Sequence, residues 1–153
     1  MTDAPNDAPR GWQRLAAREG FLATVGQLWW RRGADGLEMG FRVGPVHCNP
    51  VGACHGGMLM TCADVIMGFG LGDALGGGGF VPTIGLTGDF LAPAPAGAFV
   101  SGRADILRRG RRIGFAQCLL AADGTAVLRA SGTFQLDRRP DPGYAAAALF
   151  GHG

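Results

Sequence analysis

The feature that most restricts this fold is one apolar run, Met58 to Gly72, entered through a glycine-rich loop and left through the turn Gly72-Asp73-Ala74-Leu75-Gly76-Gly77-Gly78-Gly79. The run is apolar on nearly every side, which predicts a helix buried by the rest of the chain rather than an amphipathic helix on a surface. The stretch from Val51 to Gly72 raises the question of a membrane span, but it holds His55, Asp64 and six glycines. Ionisable groups and glycine clusters fit a hydrocarbon span poorly, so no membrane segment is expected.

Around this helix the pattern turns to period two. Leu37, Met39, Phe41 and Val43 alternate with Glu38, Gly40, Arg42 and Gly44, as in a half-buried strand. Further strand-like runs cover Thr83 to Leu91, Ala98 to Leu107, Ile113 to Ala121 and Thr125 to Leu136, the last three as a meander. Asp123-Gly124 supplies the final hairpin turn. A short helix is expected over Trp12 to Glu19. Residues 1–10 and 140–153 lack a periodic apolar face and are expected to be a disordered N-terminal segment and a flexible tail, leaving 11–139 as one domain. One long helix followed by antiparallel strands describes an α+β domain, a curved sheet of five to six strands wrapped around a single helix.

Composition narrows the function. In 153 residues, 47% are hydrophobic and only 17% charged, more apolar surface than one small domain buries, so another copy of the chain is expected to cover part of it. A net charge of +2 gives no reason to invoke nucleic acid. The opening MTDAPNDAPRGWQ has acids and prolines where a secretory signal has basic residues and then an apolar run. Cys48, Cys54, Cys62 and Cys118 form no disulfide pattern, and a cytoplasmic protein with reduced thiols is expected.

The chemistry concentrates in His47-Cys48-Asn49-Pro50-Val51-Gly52-Ala53-Cys54-His55-Gly56-Gly57, with Asp64 two turns further on. This segment resembles the H-x-N-x-x-G-x-x-H-G-G signature and following acidic residue of hotdog thioesterases of the phenylacetic-acid-degradation type, in the 4-hydroxybenzoyl-CoA thioesterase superfamily. The similarity continues through Thr83 and Asp89-Phe90-Leu91-Ala92-Pro93-Ala94 to Gly124, nearly the whole domain. It implies a hotdog fold and hydrolysis of an acyl-CoA thioester to a carboxylic acid and coenzyme A. It further implies that Asn49 positions water or binds near the carbonyl, that His55 orients the helix start, and that Thr83 bonds the water or Asp64.

The residues support such chemistry on physical grounds. Gly56 and Gly57 open a helix whose first N–H groups lack intrahelical partners, and Gly57 is the expected donor to the oxyanion, a contribution typically worth about 10²- to 10³-fold in rate. Asp64, a carboxylate on an apolar helix, suits a general base or a nucleophile. The two share a helix face but stand roughly 10 Å apart at 1.5 Å per residue, too far to act on one carbonyl carbon. A two-fold dimer with antiparallel helices would bring Asp64 of one chain to the helix start of the other. The resemblance implies the same sharing, with homodimers often paired into homotetramers.

The acyl pocket is expected from Met58, Met60, Val65 and Phe90, suiting an aromatic or medium-chain acyl group. Arg108-Arg109-Gly110-Arg111-Arg112 reads as a hairpin whose guanidinium groups, those of Arg109, Arg111 and Arg112 above all, fit the phosphates of coenzyme A. Coenzyme A enters as part of the substrate, and no cofactor or metal is expected, since His47, Cys48, Cys54 and His55 match no common zinc spacing. Structural readings compete: a hydrogen-bonded Asp64, tight packing at Gly56-Gly57, a packed Cys54, a solvated arginine hairpin. Alternative functions are an acyl-CoA-binding protein without turnover, which has no need of Asp64, and an enoyl-CoA hydratase, which would want an Asp/His pair that His55 and Asp64 do not provide.

Overall fold

A computed structural model of the chain describes residues 7–77, 80–136 and 149–151. Seven strands, β1 (Gln13–Arg14), β2 (Leu28–Gly33), β3 (Gly36–Arg42), β4 (Thr83–Phe90), β5 (Phe99–Arg109), β6 (Ile113–Ala122) and β7 (Thr125–Gln135), form one sheet in the order β1-β2-β3-β5-β6-β7-β4. Every neighbouring pair is antiparallel. Two helices, α1 (Phe21–Thr24) and α2 (Gly56–Ala74), complete the α+β domain. Because α2 leaves from β3 and delivers β4 to the far edge, it crosses the sheet and packs on β3, β5, β6 and β7. This is the hotdog architecture.

The period-two reading holds where the sheet has one dry face. In β7, Leu128, Ala130, Gly132 and Phe134 point into the core, while Arg129, Ser131 and Gln135 are exposed. Asp123 and Gly124 both adopt positive φ, 45° and 90°, the backbone that a two-residue hairpin matching strand twist requires. On α2 the buried residues are Leu59, Cys62, Ala63, Ile66, Met67, Leu71 and Gly72, with the apolar side chains among them packed in one core with Phe41, Leu120, Leu128 and Phe134. The opposite face, with Gly57, Thr61, Asp64, Val65 and Gly68, stays half-buried or exposed. Burial of α2 on every side is therefore incomplete within one chain. By length and composition the helix could cross a membrane, but its apolar side forms the protein core.

Two expectations are corrected. The stretch from Trp12 to Glu19 is not a helix: Gln13 and Arg14 pair with Trp30 and Trp29, and the Leu15 N–H donates to Leu28 O at 2.9 Å. Leu15 reaches the core from this extended backbone, so tertiary packing overrides local helix preference. The sheet has seven strands rather than five to six, because β1 and β2 add an edge. In β2 two adjacent tryptophans and two adjacent arginines conceal any alternation.

Of the expected N-terminal segment, residues 1–6 lie outside the described residues, and Asp7 accepts an ion pair from Arg42 Nε at 2.9 Å. Of the expected tail, residues 140–148, 152 and 153 lie outside them. The described stretch at 149–151 is seated on the domain. Leu149 O accepts from the Ala16 N–H at 2.7 Å, and the Phe150 ring stands edge-on to Trp30 and Phe69 with centroids 5.1 and 5.3 Å away.

Candidate active site

The loop from β3 into α2 is held by its polar residues. His47 is buried at the end of a 3-10 turn (Pro45–His47), with Nδ1 accepting from the Gly44 N–H at 2.9 Å and Nε2 2.7 Å from Val25 O. Those partners place the proton on Nε2 and engage both ring nitrogens, so His47 is a structural tie between the loop and the segment before β2. Asn49 Oδ1 accepts from the Val51 and Ala53 N–H groups, both at 3.1 Å, and Gly52 turns the chain at φ 82°. The oxygen of Asn49 thus shapes the loop, which leaves its amide N–H₂ as the group that can face a substrate.

His55 is the N-cap of α2, and its Nδ1 accepts from the Gly57 N–H at 2.9 Å. Gly57, the expected oxyanion donor, therefore already has an acceptor. The neighbouring Gly56 N–H has no hydrogen-bond partner among the described residues. Glycine is needed there for space as well: a Cβ on Gly56 would lie 2.9 Å from a ring carbon of Phe90. The open donor at the helix start is Gly56 rather than Gly57.

Two turns along the exposed face of α2, Asp64 Oδ1 accepts from Thr83 Oγ1 at 2.6 Å. Thr83 is the first residue of β4, aligned with Phe134 of β7, so the sheet register brings together two residues separated by the glycine turn. Thr61 Oγ1 donates to Gly57 O at 2.9 Å along the same face. Asp64 and Thr83 border a cavity of about 910 Å³ that runs towards the end of the helix between Val65, Phe69, Phe80 and Trp30. Its far rim carries a bidentate pair, Arg32 to Asp73 at 2.6 and 3.0 Å. The hydrogen bond from Arg32 holds the Asp73 carboxyl below its ordinary range and raises the guanidinium in turn.

Of Met58, Met60, Val65 and Phe90, the residues expected at the acyl pocket, Val65 borders this cavity. Met58 and Met60 pack against the core, and Phe90 covers the helix start. The aromatic walls escaped the sequence reading because Trp30 lies on the unrecognised β2 and Phe150 in the presumed tail; the run of bulky rings was the available signal. Asn49, His55 and Gly56 do not border this cavity. Gly56 and Asp64 are eight residues apart on one helix, about 12 Å along its axis, so one chain keeps the open N–H at the helix start well away from the Asp64 carboxylate.

The arginine hairpin divides. Arg109 donates to Ala74 O at 2.6 Å and so caps the carbonyl end of α2, while Arg111 and Arg112 are exposed in the turn between β5 and β6. Burial pushes the thiols of Cys54 and Cys118 up to about 12 and that of Cys62 higher still, which suits packed cysteines and not a thiolate nucleophile. At the edge of the sheet β4 has an unpaired side, where Ile84, Phe90 and Leu91 are each more than half exposed.

Comparison with known proteins identifies the family and the fold. The model of the family described as the thioesterase superfamily matches residues 51–128, from the glycine loop into the first residues of β7. A Pseudomonas aeruginosa protein named as an esterase is 31% identical over 131 residues, covering 85% of this chain and 98% of its own. Among solved structures, a phenylacetic acid degradation-related protein of Ralstonia eutropha is 29% identical, covering 82% of this chain and 85% of its own, with a TM-score of 0.62. A Bacillus halodurans protein solved with CoA shares the fold at a TM-score of 0.68 and 24% identity, covering 80% of this chain and 83% of its own.

Proposed function

The chain belongs to the thioesterase superfamily and is a thioester hydrolase; from that premise we propose that it hydrolyses an aromatic or medium-chain acyl-CoA, with Asp64 as the catalytic carboxylate in a site completed by a second subunit. The observation that carries this reading is the Thr83 to Asp64 hydrogen bond at 2.6 Å on the border of an apolar cavity. Thr83 fixes one carboxylate oxygen and leaves the other free to take a proton from water or to attack the carbonyl itself. In either route a bond from oxygen to the carbonyl carbon forms, the carbon–sulfur bond breaks, and the coenzyme leaves as its thiol. If Asp64 attacks, water then hydrolyses the mixed anhydride and restores the carboxylate.

The negative charge that develops on the carbonyl oxygen needs a donor, and the Gly56 N–H of the partner subunit fits that role. A dimer formed across the open edge of β4, with the two copies of α2 antiparallel, would place that helix start near Asp64 and cover Ile84, Phe90 and Leu91. His55 keeps the Gly57 N–H engaged, which directs the substrate oxygen to Gly56. Arg111 and Arg112, free of the helix-capping duty of Arg109, are the groups offered to the phosphates of coenzyme A. A cytoplasmic location, where acyl-CoA and reduced thiols coexist, belongs to the same reading.

The test is thiol release from a panel of acyl-CoAs, acetyl through long-chain and including benzoyl, hydroxybenzoyl and phenylacetyl, by the wild-type protein and Asp64→Ala. Turnover by the wild type that falls about 10²- to 10⁴-fold in the variant is expected. Binding without turnover in the wild type would contradict the hydrolase assignment, and equal turnover in both would remove Asp64 from the chemistry.

A further inference from the structure

The cavity beside Asp64 is lined in part by a residue far away in sequence. Phe150 is carried back onto the domain with Leu149, whose carbonyl accepts from the Ala16 N–H at 2.7 Å. Its ring stands between Trp30 of β2 and Phe69 of α2, edge-on to both, at interplanar angles of 86°. All three rings line the cavity that Asp64 and Thr83 border. Phe69 lies five residues beyond Asp64 on the helix, about 7.5 Å along the axis. An acyl group with its carbonyl at Asp64 and its tail running along α2 would meet the Trp30–Phe150–Phe69 cluster after a few carbon atoms.

The backbones that carry two of these rings are fixed by the fold, since Trp30 is in a paired strand and Phe69 is within the core helix. Among the described residues, Phe150 is held by the edge-to-face contacts and by the Ala16 N–H to Leu149 O hydrogen bond beside it. It is therefore the wall whose removal enlarges the cavity beside Asp64 while leaving the paired strand β2, the helix α2 and the Asp64–Thr83 hydrogen bond in place.

We propose that Phe150 is the specificity-determining residue that sets the longest acyl group this enzyme accepts. The proposal rests on the thioesterase reading and adds a residue to it that plays no part in the chemical step. A hydrophobic pocket discriminates by about 10- to 200-fold for one methylene too many or too few, so deletion of a phenyl ring moves the preference by several carbons.

The experiment measures kcat/KM of the full-length protein for a series of straight-chain acyl-CoAs from butanoyl to hexadecanoyl, for wild type, Phe150→Ala and Phe150→Leu. Wild type should show a maximum followed by a fall. Phe150→Ala should shift the maximum to longer chains and raise the ratio of long- to short-chain kcat/KM at least ~10-fold. Phe150→Leu, which keeps an apolar side chain on the Trp30 and Phe69 rings, should fall between the two. Wild-type turnover with the same chain-length profile in all three proteins overturns the assignment of Phe150 and leaves the thioesterase reading intact. No thiol release by wild type from any member of the series or of the aromatic panel overturns the thioesterase reading, and this proposal with it. A variant whose kcat falls equally at every chain length also overturns it, because that result makes Phe150 a structural support.

Discussion

Asp64 and Thr83 lie 19 positions apart in the chain and 2.6 Å apart in space. Half-buried on the uncovered face of α2, Asp64 has a single side-chain donor among the described residues, so Thr83 decides which of its oxygens is available for chemistry. A hydrogen bond to a charged group is worth about 1.5–3 kcal/mol, and Thr83→Val is predicted to lower kcat by roughly 10- to 100-fold with little change in KM. Thr83→Ser should restore most of the activity in the same thiol-release assay; an unaltered kcat in Thr83→Val would show that the bond is dispensable. These two residues were legible from the motif and the strand pattern. The choice between Gly56 and Gly57 was not, since it depends on where the His55 ring turns, and a side-chain rotamer leaves no mark in residue order.

The elements divide the labour between scaffold and site. The core face of α2 and the strands β3, β5, β6 and β7 carry strong apolar periodicity and could be read from sequence. By contrast β1, β2 and the stretch at 149–151 are held by contacts made only after the sheet exists, and their local patterns are silent. In the hairpin beside the end of α2 the three arginines act differently. Arg109 satisfies a helix carbonyl, whereas Arg111 and Arg112 face outward. Replacement of Arg111 and Arg112 together by Ala should raise KM for acyl-CoA while leaving a short thioester without the nucleotide unaffected, and an equal effect on both substrates would exclude phosphate recognition. The Arg32–Asp73 pair that ties β2 to the last turn of α2 has a pH signature. Because the hydrogen bond from Arg32 lowers the folded-state pKa of Asp73 below its ordinary 3.8, the pair stabilises the fold above that value and stops doing so as pH falls through the lower folded value. Both groups are partly exposed, so the gain is at most ~1 kcal/mol. Thermal unfolding of wild type and Arg32→Ala should differ at pH 6 and converge in strong acid; a difference that grows with acidity would contradict this sign.

At the scale of the molecule, one chain leaves two things uncovered: the edge strand β4 with Ile84, Phe90 and Leu91, and the face of α2 that bears Asp64. It also leaves the functional groups apart, with Asp64 and Thr83 on the cavity and Gly56 at the helix start about 12 Å away. On the proposed reading a second copy would resolve both, and the apolar excess in the composition and the spacing of Asp64 from the glycines point to the same proposal. The most direct measurement is complementation between two inactive variants, Asp64→Asn and Gly56→Val, assayed for thiol release singly and after co-refolding in equal amounts. In a mixed dimer one site combines an intact Asp64 from one chain with an intact Gly56 from the other, so random pairing should restore about a quarter of wild-type activity. If the mixture, shown by tagged pull-down to contain mixed dimers, stays at the level of the separate variants, Asp64 and Gly56 do not meet across subunits and the shared site is contradicted.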